Sequence, residues 1–376
     1  MNFPILSAVA AQNDAQTSNT CSSREANDER PPRVFYFDAI RTWATFAVIV
    51  IHTAAGVLYA TSPHSVTWWA ANLWDSMSRP AVPLFLMVSG ALLLDPRRSE
   101  AIATFFRKRA LKVLVPFMVW VPLYLVWRVV RHHEPMTLLF ALREVLAGPV
   151  YVHLWFLYLI LALYLLTPIL RVWVRNARDI EFRYLLVLWF VCSSILPMLQ
   201  RGMNTTFAVV NLIAPNLAGY FLLGHYLHSV RTKCINLAAC FVLWMATNFF
   251  TIVATYFLTR AKGSFAESFY APLSPNVVLA SALFFLMARD FDWEKLRRSR
   301  PLIIRGLSQI SAASFGIYLI HIIFLELLSS DLNFLLLGQG RQPVFGVLIG
   351  ATMTLLLSLG VVLVVKKIPF LKAIMP

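Results

Sequence analysis

Ten stretches of mostly apolar residues recur along the chain, at 36–58, 74–94, 111–130, 152–172, 183–200, 210–229, 235–258, 276–289, 308–330 and 344–365. Runs of about 20 residues are what a helix needs to cross a hydrocarbon core. Backbone amides in lipid must be paired within the segment or in a closed barrel. The runs lack the alternation of barrel strands, which have about ten residues each. The pattern therefore predicts an all-α, polytopic integral membrane protein with about ten transmembrane helices. The stretches 183–200 and 276–289 are short, and Pro272 and Pro275 interrupt the second. Both cross only with flanking loop residues or where the bilayer thins.

Composition agrees: the 376 residues are 59% hydrophobic and 14% charged, against roughly a quarter charged in soluble domains. Charge then orients the helices. Most basic residues fall in alternate loops, around Arg41, Arg107 to Lys112, Arg171 to Arg183, Arg289 to Arg305 and Lys366 to Lys372. The positive-inside rule puts these loops and both chain ends on the cytoplasmic side. The net charge of +15 is thus topological, and nucleic-acid binding is excluded because neither a soluble basic face nor an aromatic readout module is present. Residues 1–34 read as a disordered cytoplasmic tail without the layout of a cleavable signal. Residues 35–365 read as the membrane domain and 366–376 as a short cytoplasmic tail. Cys21, Cys192, Cys234 and Cys240 lack CxxC spacing, and the eight histidines lack an HExxH pattern, so no metal or disulfide role is assigned.

The candidate chemistry lies in polar groups within the spans. Arg41 and His52 are eleven positions apart, about 16 Å and three turns of one helix face. Arg41 is either an interfacial anchor or a clamp for an anionic donor. His52 is either a helix–helix hydrogen-bonding group or a proton acceptor. Asp38 either orients Arg41 or pairs with another helix. Arg79 follows Asp75 by one turn, within reach of an ion pair, and a buried arginine needs a partner or a watery pocket. It is a candidate for oxyanion stabilisation or acceptor binding. Ser89-Gly90 suits small-residue packing or close approach of a cofactor. Arg107, Lys108, Arg109 and Lys112 suit lipid phosphates or those of a nucleotide-like donor, although no phosphate-binding glycine loop is present. His153, among interfacial aromatics, and His321, with Glu326 five residues on, are candidates on the acceptor side. His225 and His228 read as helix-end anchors.

Four segments resemble the membrane acyltransferase-3 family, integral membrane O-acyltransferases of bacterial surface glycans: the Arg41 to His52 spacing, Arg79 to Gly90 (RPAVPLFLMVSG), His153 to Tyr158 (HLWFLY) and Ser314 to His321 (SFGIYLIH). They occur in the family order, and the resemblance covers approximately 35–365. Within the family the chain resembles stand-alone enzymes that O-acetylate surface-polysaccharide intermediates of the enterobacterial common antigen type. The resemblance implies a bacterial inner (cytoplasmic) membrane protein, with acetyl-CoA as donor and a glycan or lipid-linked sugar hydroxyl as acceptor. It implies catalytic roles for His52 and Arg79. It gives Arg41 a donor-binding or structural role; with the residue readings above, the donor-binding candidates are Arg41, Arg107, Arg109, Ser89 and Gly90, and the acceptor-binding candidates Asp75, His153 and His321. A secondary transporter or flippase of a glycan precursor or small anion is the alternative, since paired buried charges also line transport pathways.

Overall fold

A computed structural model describes residues 34–97, 100–203, 205–207, 216–230, 236–331 and 344–376. The tail assigned to 1–34 therefore lies almost wholly outside the described residues, as do Cys21 and Cys234. The chain from Tyr36 to Pro376 forms one packed unit.

Among the described residues, eight helical runs are long and apolar enough to cross a membrane. The first is α1, Phe35–Ala60. The second joins α2, Val66–Ser78, to α3, Ala81–Leu93. The third runs from α4, Ile102–Arg109, through a π-helical turn, Ala110–Leu114, into α5, Val115–His132. After the short α6, Leu138–Ala147, come α7, Trp155–Asn176, and the run Asp179–Met203, made of α8, Asp179–Phe190, a second π turn, and α9, Leu196–Met203. α11, Leu237–Lys262, follows α10, Ala218–Ser229. Beyond α12, Pro275–Asp290, and α13, Trp293–Ser299, the last two runs are α14, Pro301–Glu326, with its π-helical extension, and α15, Gly346–Val365.

The all-α polytopic class is thus as the hydropathy predicts, with two of the expected spans shorter than the other eight. α12 has 16 residues. α10 has 12, and the start of the stretch expected at 210–229 lies outside the described residues. Conversely, 183–200 lengthens to Asp179–Met203, 25 residues, enough to cross without thinning.

Two local features place the functional groups. The second run breaks at Arg79–Pro80, between α2 and α3, because proline cannot supply the amide that would continue the ladder. α3 and α10 then approach closely. A Cβ on Gly90 would sit 1.8 Å from the Phe221 carbonyl oxygen, and one on Gly224 would sit 2.1 Å from that of Met87. Lipid gives helices no hydrophobic drive to associate, so such small-residue contact is the source of cohesion.

Hydrogen bonds fix the register of α1 against α14. Thr42 Oγ1 donates to the Leu307 carbonyl at 2.7 Å, and Ser311 Oγ donates to Asp38 Oδ1 at 2.8 Å. Asp38 is therefore an inter-helix tie. Three to four turns further on, this register brings His52 of α1 beside His321 of α14, with ring centroids 5.4 Å apart.

Candidate active site

A cavity of about 400 Å³ runs between α1, α3, the end of α4 with the π-helical turn, α7 and α14. Arg41 and His52 both line it, as their shared helix face requires. At the Arg41 end stand Arg109 and Lys112; they bracket the start of the π-helical turn, and both reach the lining. The Arg109 guanidinium lies between the Phe105 and Tyr164 rings, at 5.5 and 5.7 Å from their centroids. Ser89 lines the middle, with its hydroxyl turned back to the Phe85 carbonyl at 2.8 Å. Aliphatic and aromatic side chains such as Val48, Phe85, Phe156 and Ile160 form the walls. Cations at one end of a narrow apolar channel suit an elongated ligand with anionic groups at that end.

His52 and His153 face the far end of this cavity. His321 stands behind them, wholly buried, with its ring 5.2 Å from that of His153. Its Nδ1 lies 2.7 Å from the Tyr318 carbonyl. A carbonyl only accepts, so in the neutral ring Nδ1 carries the proton and Nε2 keeps a lone pair. That Nε2 has no partner among the described residues. His153 is 2% exposed, and neither of its ring nitrogens meets a partner at hydrogen-bonding geometry. Its backbone is nevertheless fixed, because Tyr318 donates to the His153 carbonyl at 2.6 Å. His52 of α1, His153 of the turn before α7 and His321 of α14 thus converge, and the first two line the cavity. Such a cluster can take up and return a proton.

The other sequence candidates lie elsewhere. Arg107 is exposed and outside the lining. Gly90 faces the Phe221 backbone, so its small size serves the α3–α10 contact. Arg79 and Asp75 form their own buried unit beside the helix break: Nη2 meets Asp75 Oδ2 at 2.5 Å, and the guanidinium lies over the Tyr270 ring at 4.0 Å. Burial, then the Asp75 charge, pushes the Tyr270 phenol up from its ordinary value, so it stays neutral under the arginine. Tyr270 also bonds Asn72 and Ser76. Arg79 is outside the cavity lining but close enough for its charge to act on His52.

The sequence reading missed two contributions. Lys112 was grouped with its neighbours, and only the π turn singles it out. Residues 366–376, expected as a short cytoplasmic tail, pack on the bundle: Trp120 Nε1 donates to the Ile374 carbonyl at 3.0 Å, Met375 is buried and Pro376 lines the cavity. Among the described residues, no three His, Cys, Asp or Glu side chains gather as metal ligands.

Residues 34–363 match the family model described as an acyltransferase domain. No curated protein and no solved structure matches the chain.

Proposed function

Because the chain belongs to the membrane acyltransferase family defined by that domain, we propose that it moves an acetyl group from cytoplasmic acetyl-CoA to a sugar hydroxyl on the far side. The acceptor is a cell-surface glycan or a lipid-linked intermediate, of the enterobacterial common antigen type. The protein crosses the bacterial inner membrane ten times, with the short α10 and α12 counted as crossings and both ends cytoplasmic. One observation carries the reading: Arg41, Arg109 and Lys112 share a single cavity with His52 and His153.

The cations at one end of this cavity and its apolar walls support coenzyme A as the ligand. Arg41, Arg109 and Lys112 hold its phosphates, the apolar walls take the slender arm, and the thioester reaches the histidines. His52 removes the proton from the acceptor hydroxyl as that oxygen attacks the thioester carbonyl carbon. The carbon–sulfur bond breaks, and His52 returns the proton to the departing sulfur, giving the acetyl ester and free thiol. In the two-step version the His52 ring takes the acetyl group first and then yields it to the hydroxyl. His321, adjacent to His52, orients that ring, and His153 meets the acceptor. Arg79, held by Asp75, acts through its field on the developing negative charge; Asp75 is then a positioning residue.

Labelled acetyl-CoA supplied to purified protein in liposomes tests this. Transfer of label to a glycan extract without net solute movement supports the enzyme. Solute movement without acyl transfer establishes a transporter instead. Acetyl trapped on His52, found by mass spectrometry, selects the two-step version.

A further inference from the structure

A second pocket, of about 510 Å³, opens at the end of α5 remote from Arg109. Arg109 and Arg128 are nineteen residues apart on one helical run, about 28 Å of rise. The pocket therefore lies at the opposite end of the bundle from the basic mouth. Its polar lining is Arg128, His132, Glu134, Tyr151 and Glu326.

These groups are held in place. Glu326 accepts from Trp127 Nε1 at 2.8 Å and from the Tyr151 hydroxyl, and His132 Nε2 is 3.1 Å from the same hydroxyl. Burial, then the Glu326 carboxylate, raises the Tyr151 phenol above its ordinary value, so it remains a donor. Arg128 is tied to Glu134 Oε2 at 2.8 Å and to Glu144 Oε2 at 2.9 Å. The lining thus carries two carboxylates to one guanidinium that is already committed.

A chain of ring contacts also joins the pocket to the histidines. The Tyr151 ring packs 4.7 Å from Tyr124 and 6.0 Å from His153. His153 in turn packs 5.2 Å from His321, and His321 packs 5.4 Å from His52. Tyr151 lines the pocket and packs against His153, which lines the reaction chamber.

A pyranose offers hydroxyl donors around its rim and C–H groups on its faces. Fixed carboxylate oxygens accept the first, and tyrosine or tryptophan faces pack the second. An anionic sugar would instead meet Glu134 and Glu326 and be repelled. We infer that this pocket is the acceptor subsite, that it binds an uncharged sugar unit, and that Glu326 orients that sugar toward His153 and His52. The inference rests on the acyltransfer reading above.

The test is acetyl-transfer kinetics in proteoliposomes, with radiolabelled acetyl-CoA and a lipid-linked glycan extract, comparing wild type with Glu326→Gln and Tyr151→Phe. Glu326→Gln is expected to raise the acceptor KM about tenfold or more, with the acetyl-CoA KM unmoved, and Tyr151→Phe to raise it less. An unchanged acceptor KM in Glu326→Gln overturns the subsite while leaving the enzyme intact. Absence of transfer by wild type overturns the acyltransfer reading and the subsite with it. Coenzyme A binding, followed by thermal shift, verifies that each variant is folded. If Glu326→Gln does not fold, saturation-transfer NMR on wild type decides: signal from methyl glucoside exceeding that from glucuronate supports the inference, and equal or reversed signals overturn it.

Discussion

The two ends of the bundle differ in the sign of the charge they offer. At one, Arg41, Arg109 and Lys112 line the cavity without an acidic neighbour in the lining. At the other, Arg128 is locked between Glu134 and Glu144, and Glu326 adds a further carboxylate. Between them the cavity lining is imidazole, aromatic, aliphatic and hydroxyl side chains, with no carboxylate and no further guanidinium or ammonium group. The difference teaches how one bundle can admit two unlike substrates from opposite faces. On the function proposed here, each end selects by charge and the middle, neutral to both, is where the substrates meet.

The comparison breaks first at its centre. His52→Ala should lower turnover by about 10²- to 10⁴-fold, the usual worth of a general base, while moving the KM of neither substrate greatly. Full transfer by a folded His52→Ala protein would refute the proposed chemistry. Next come the basic residues. Charge-assisted hydrogen bonds are worth about 1.5–3 kcal/mol, so Arg41→Gln and Arg109→Gln should each raise the acetyl-CoA KM by about tenfold or more and spare the acceptor KM. Arg107→Gln, on an exposed residue outside the lining, should change it little. Raised ionic strength should mimic the basic-end variants in part, because partly exposed charges are screened. Acceptor binding should respond far less.

Smaller effects test the frame between the ends. Gly90→Ala forces a shift of the Phe221 backbone, and overpacking of this kind costs about 1–3 kcal/mol. A lower unfolding temperature in detergent with an unchanged acetyl-CoA KM would mark Gly90 as a packing residue, and the reverse would return it to the donor site. The least effect concerns Glu100, whose carboxyl is raised by burial but lowered overall by hydrogen bonds from Lys108 and Arg171. Arg171 also caps α3 by donating to the Leu93 carbonyl at 2.7 Å. With its folded pKa depressed, Glu100 contributes stability above its unfolded value and loses it as pH falls through the folded one. A slight acid loss of stability should therefore vanish in Glu100→Gln, as thermal melts at several pH values would show.

How much of this was legible along the chain depends on the range of the contact. Length and hydropathy announce the long spans because lipid imposes them locally. Arg41 and His52 could be placed on one face because helix period is a local property too. The Asp75–Arg79 pair was legible for the same reason. Its orientation toward Tyr270 was not, since that follows from the break at Pro80 and from a residue far along the chain. Gly90 admits two readings along the chain, and its approach to the Phe221 backbone decides between them. Glu326 stood out only as an acid in an apolar run; its partners Trp127 and Tyr151 come from two other segments, and no spacing rule connects them. The π-helical turn that contains Lys112 likewise has no pattern in the residues.

The seating of Ile374 against Trp120, with Pro376 in the cavity wall, bears on how the protein is handled. An affinity tag or reporter joined at Pro376 would begin its path at the chamber wall. Such a fusion would report normal abundance and depressed turnover, and an inactive tagged preparation would say nothing about the native enzyme.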